Sequence, residues 1–191
     1  MKKIVFDIET KNLFSDVGSN DPSALDISVV CIYDYGRDVY ESYLEKDFGK
    51  LWPVLENADL LIGYNSDHFD IPLLNKYYPG DLTKIKSLDI LGEIKSSYGR
   101  RMKLDQIAEG TFGIHKSGNG LDAVVWWKAG EIEKIIKYCI DDVKITKDVY
   151  EYAIKNNKLI FKEGGELINI PLNTSKWEDK QDHVMTHTLP F

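Results

Sequence analysis

The apolar stretch around which the chain is arranged lies at its start. Ile4, Val5, Phe6 and Ile8 form a run between Lys3 and Thr10, interrupted by Asp7 and Glu9. Such a run predicts a buried strand. Strand side chains alternate between faces, so two carboxylates two residues apart leave on the same side. Further apolar runs predict strands over 27–33 and 39–44, joined by turn residues 35–38. Phe48, Leu51, Trp52 and Leu55 recur at helical spacing and predict a helix from Asp47 to about Asn57, with Pro53 inside it. A short strand over 59–63 is followed by a helix over 69–78 that Pro79-Gly80 stops. Residues 84–90 read as extended, and a basic loop follows with Lys95, Arg100, Arg101 and Lys103. A short helix over 104–109 ends at Gly110, and 112–120 form a glycine-rich loop. The longest pattern runs over 131–156, where Ile132, Ile135, Ile136, Cys139, Val143, Thr146, Val149 and Ala153 trace one stripe. Residues 159–161 and 167–170 flank Gly164-Gly165 as a hairpin.

A meander of strands followed by alternating strands and helices predicts an α/β fold: a mixed sheet flanked by helices, in one domain over 1–172. From Asn173 the chain is polar and is expected to be a flexible tail, 173–191.

Composition narrows the class. Hydrophobic content of 43% and charged content of 29% suit a globular protein. Cys31 and Cys139 sit inside apolar patterns without disulfide or zinc spacing, as expected of thiols in a reducing cytoplasm. No run is long enough to span a membrane and no signal peptide is evident. A net charge of −7 argues against a broad electrostatic footprint for duplex DNA, yet acidic metal ligands would supply part of it.

The candidate chemistry lies in three carboxylate clusters. Asp7 and Glu9, if buried together, repel and lose hydration, and a hard divalent cation would cancel that cost. Two solvated acids at a strand end fit the same pattern. The second cluster, residues 63–74, places Asp70 in the first turn of a helix after Asn65, where an acid is common on capping grounds alone. In the third, Tyr138 and Asp142 lie four apart on one helix face, with Asp141 about 100° away.

Together these clusters resemble the three motifs of the DEDD superfamily of 3′–5′ exonucleases, in its tyrosine-containing branch. Asp7-Ile8-Glu9 matches the first motif. Asn65 through Phe69-Asp70 matches the second, in the form found in proofreading domains of family B DNA polymerases. Tyr138 through Asp142 matches the third. The resemblance covers most of residues 1–155. It implies a ribonuclease H-like fold, two divalent metals (Mg²⁺ or Mn²⁺) around Asp7, Glu9, Asp70 and Asp142, and Tyr138 orienting the attacking water. It also implies hydrolysis of single-stranded nucleic acid from a 3′ end, DNA favoured over RNA. Thr10 and Asn65 are expected at the terminal nucleotide, and Arg100, Arg101 and Lys103 at phosphates. His115 is read as a surface residue. At least one of Trp126 and Trp127 is read as core, and the other as a candidate for base stacking. A 3′-end-trimming ribonuclease and a catalytically silent scaffold are the competing readings. The ending Leu189-Pro190-Phe191 resembles the apolar half of peptides that dock on sliding clamps, which makes a clamp a candidate partner.

Overall fold

The computed structural model describes residues 1–114 and 120–179. Its centre is a five-stranded mixed sheet of order β3-β2-β1-β4-β5. β1 (Lys3–Thr10) pairs antiparallel with β2 (Ile27–Asp34), which pairs with β3 (Val39–Tyr43). On its other side β1 runs parallel to β4 (Leu60–Gly63), and β4 to β5 (Ser87–Asp89). The alternation of β1 divides two cores. Ile4, Phe6 and Ile8 face α2 (Phe48–Glu56) and α3 (Asp70–Asn75), where Leu51, Leu55, Leu73 and Leu74 are fully buried. Val5, and with it the side of Asp7 and Glu9, faces α7 (Ile132–Asn156), which buries Ile135, Cys139, Val143 and Val149. The central strand therefore carries its acids into the seam between sheet and long helix.

The mixed sheet, the helices on it, and the extents of β1 and α7 agree with the sequence pattern. Three helices do not. Phe14–Val17 (α1) is one turn inside the expected first loop. Ile90–Tyr98 (α4) replaces most of the expected basic loop: Asp89 caps it, Ile90, Leu91 and Ile94 bury its inner face, and Gly99 closes it at φ 80°. Gly120–Lys128 (α6) lies between the expected glycine-rich loop and α7, a stretch for which the pattern predicted no element.

α5 spans Leu104–Phe112, so Gly110 lies within the helix rather than ending it. A Cβ at Gly110 would sit 2.3 Å from Cα of Phe161, on β6 (Lys158–Glu163). Glycine is needed there because helix and strand backbones touch. β6 pairs with β7 (Glu166–Pro171) in the expected hairpin.

Ordered packing also continues past the expected boundary at 172. Trp177 is buried, stacked on Tyr150 at 6.2 Å, with its indole N–H donating to Glu93 at 3.0 Å. Glu178 pairs with Lys3 at 2.7 Å. Residues 173–179 are thus docked, with Trp177 burial, the Thr174–Asn157 and Lys86 hydrogen bonds and the Lys3–Glu178 pair together opposing the ordering cost of the segment. The clamp-like ending Leu189–Phe191 and His115 lie outside the described residues.

Candidate active site

Asp7 and Glu9 leave β1 toward α7, and Asp142 comes down from α7 to meet them. One carboxylate oxygen from each lies within 4.8 Å of the others. Glu9 and Asp142 are buried and Asp7 is half-buried. Asp7 sits opposite Cys31 in the β1–β2 register, and the Cys139 thiol donates to its carbonyl at 3.4 Å and its carboxylate at 3.6 Å. Burial, reinforced by Cys31, pushes the Cys139 thiol well up, so it stays a protonated donor. The register of β1 shifts between Glu9 and Thr10, a local irregularity that re-aims the chain beside the acids.

Tyr138 lies one turn before Asp142, nearly buried, with the Trp126 ring edge-on at 5.9 Å and 69°. Trp126 and Trp127 both pack on the core, as expected of at least one of them. Trp127 lies beneath the Lys11 ammonium at 5.1 Å. Asp141 turns away, into ion pairs with Lys137 and Lys144.

Asp70 begins α3 and is buried in the same cleft, yet stands outside the three-oxygen cluster. Burial raises its carboxyl to about 8. The Asp89 charge adds to the rise, while the Asp70 and Ile8 backbone N–H groups oppose it. The sequence reading set all four acids together. The fold brings three into one cluster and holds the fourth against the β1 backbone.

These residues open on a cleft of about 690 Å³, whose lining includes Thr10, Asn65, Phe69, Lys103, Tyr138 and all four acids. Asn65 takes a left-handed backbone at φ 69°. Arg101 donates to its side-chain oxygen. The basic run divides. Arg100 forms a two-pronged pair with Glu163 on β6 and is not among the residues that line the cleft. Lys95 is carried to the exposed face of α4 and Tyr98 onto Phe161. Only Arg101 and Lys103, beyond the αL turn at Gly99, come back to the site.

Sequence reasoning missed Asp89. One of its oxygens accepts from the N–H groups of Asn65 at 2.7 Å, Leu91 at 3.0 Å and Gly92 at 3.3 Å. It therefore caps α4 and fixes the left-handed Asn65 together. The signal was an aspartate directly before the apolar residues Ile90-Leu91. Burial raises this carboxyl, with its accepted N–H bonds opposing. Asp89→Ala orphans three N–H groups and is expected to cost about 1–3 kcal/mol in urea unfolding, while Asp89→Asn, which keeps an acceptor oxygen, restores most of it.

The donor set tests well against a metal. Three hard carboxylate oxygens converge within bridging reach of one cation, with no soft ligand among them, which suits Mg²⁺ or Mn²⁺. A family model of the RNase H superfamily, RNase_H_2, matches residues 4–154, and the chain belongs to that superfamily. Its fold is ribonuclease H-like, as the motifs implied. Among solved structures it is similar to the family B DNA polymerase of the hyperthermophilic archaeon Pyrobaculum calidifontis, with TM-score 0.61 and 17% identity over 81% of this chain. It is also similar to Trypanosoma brucei RNase D, with TM-score 0.57 and 13% identity over 81% of this chain. The match takes in 24% of the polymerase and 58% of the RNase D chain. No curated protein matches the chain. Among the described residues, no helix is long and apolar enough to cross a membrane.

Proposed function

We propose that this protein is a metal-dependent 3′–5′ exonuclease of the tyrosine DEDD branch, acting on single-stranded nucleic acid, DNA favoured, in a reducing cytoplasm. The observation that carries the reading is the convergence of Asp7, Glu9 and Asp142 within 4.8 Å, in a cleft that Tyr138 and Asp70 also line. Asp7, Glu9 and Asp142 would hold one divalent cation between them, and Asp70 would share in a second. Bound cations would acidify a water and stabilise charge on the leaving oxygen.

The chain's own groups supply the rest. The Tyr138 phenol, steadied by Trp126, aims the attacking water by a hydrogen bond; a tyrosine titrates too high to serve as the base. Thr10 and Asn65 position the terminal nucleotide, and the apolar wall formed by Leu13, Phe14 and Phe69 excludes water from it. The free thiols Cys31 and Cys139 suit the proposed compartment. Tyr138→Phe is expected to lower the single-turnover rate by ~10²-fold while leaving Mn²⁺ binding, read by calorimetry, unchanged, since only the aiming bond is removed. The reading is tested by incubating matched single-stranded DNA and RNA with the protein and Mn²⁺. Nucleoside 5′-monophosphates are expected from DNA at the higher rate; absence of hydrolysis of both contradicts it.

A further inference from the structure

Beside the cleft lies a second cavity of about 580 Å³. The two share Tyr64, Asn65, Lys103, Gly120 and Tyr138, so they form one trough that passes the acid cluster. Its two parts differ. The first cavity holds the four acids together with the apolar side chains of Leu13, Phe14, Leu25 and Phe69. The second cavity adds Arg101 and shares Lys103 with the first, on a protein of net charge −7. We infer that this second cavity binds the phosphodiester on the 5′ side of the scissile bond, through Arg101 and Lys103. The inference rests on the exonuclease reading and assigns that site its strand path.

Three features support an anion there. The Arg101 guanidinium is held by a neutral amide oxygen, that of Asn65, so this contact orients its charge without cancelling it. That distinguishes it from Arg100, whose guanidinium is paired with the Glu163 carboxylate. The Tyr64 hydroxyl donates to the Met102 carbonyl at 2.7 Å, which fixes the 101–103 segment against the loop bearing Asn65. The nine-residue α5 begins at Leu104, in the wall of the cavity, and its amino-terminal dipole favours negative charge. Asp105 shares the wall, so that among the described residues lining it two cations face one carboxylate. A strand lying in the trough puts its terminal base and sugar against the apolar side chains of the first cavity, the scissile phosphate at the acids, and the next phosphate upstream on the cations.

The inference is tested by comparing a dinucleotide, whose single phosphate is the scissile one, with a trinucleotide carrying one more phosphate upstream. Both lack terminal phosphates. For the wild type with Mn²⁺, the trinucleotide-to-dinucleotide ratio of kcat/KM is expected to exceed one. In Arg101→Ala and Lys103→Ala that ratio is expected to fall by about tenfold, as for loss of one charged contact. Lys103→Arg is expected to restore it. An unchanged ratio in both alanine variants overturns the inference. A second readout needs neither metal nor turnover: binding of labelled oligothymidylate in EDTA across a salt series. Lys103→Ala is expected to lower the slope of log K against log salt by about 0.7. An unchanged slope overturns the strand path. A wild type that binds with the expected slope yet cleaves neither substrate overturns the exonuclease reading alone.

Discussion

Asp142→Asn and Asp7→Asn are each expected to lower cleavage by about 10³-fold or more, and to leave the metal-free protein at least as stable as the wild type. The two effects come from one arrangement. The oxygens of Asp7, Glu9 and Asp142 lie within 4.8 Å of one another, with Glu9 and Asp142 buried. Like charges held so close repel, and burial strengthens the repulsion. A cation turns that repulsion into binding energy, so one lost charge removes a ligand and misplaces whatever the cluster holds. In the metal-free protein the same loss relieves repulsion, and asparagine leaves no cavity because it matches aspartate in size. The paired measurement is cleavage rate with Mn²⁺ and melting temperature in EDTA. A variant that still cleaves at wild-type rate, or melts well below the wild type, contradicts this assignment.

The second large effect is a pH dependence centred on Asp70. Its carboxyl is raised from the ordinary value of 3.8 to about 8, chiefly by burial. The folded protein therefore takes up a proton that the unfolded chain releases. For such a raised group the stabilisation is complete below pH ~4 and is lost as pH rises through about 8. Metal-free stability is expected to fall over that window by up to ~1.4 kcal/mol per pH unit from this group. Asp70→Asn removes this contribution to the slope, and above pH 8 the variant is expected to be the more stable by a few kcal/mol. Cation binding at the site should displace the proton, so affinity rises with pH to about 8. Urea unfolding in EDTA at stepped pH measures the effect. An Asp70→Asn slope identical to the wild type's contradicts it.

What the chain reveals without a structure follows from how local each signal is. β1 is legible because its apolar run and its two acids occupy alternating positions, and the register then delivers both acids to one face. α7 is legible because its stripe repeats across 25 residues. α4 is not, because Lys95, Arg100 and Arg101 look like loop chemistry, while the cap that nucleates the helix, Asp89, reads as the end of a strand. Gly110 looks like a stop until β6 is seen lying against it. Trp177 sits among polar residues, and its docking on Tyr150 is a purely tertiary event. In the site, it was the resemblance to the three exonuclease motifs that pointed to the four acids and Tyr138. They could not indicate that Arg100 would be drawn off by Glu163, or that Asp70 would sit apart from the other three. Both outcomes depend on contacts between segments distant in the chain.

The central claim is that the acid cluster hydrolyses one strand stepwise from its 3′ end. A single-stranded oligonucleotide labelled at its 5′ end, sampled over time with Mn²⁺, tests it most directly. The expected result is a ladder of labelled products that shortens from the 3′ end, with unlabelled nucleoside 5′-monophosphates released. Immediate release of the labelled 5′ nucleotide, or internal cuts in a circular strand, would contradict the account.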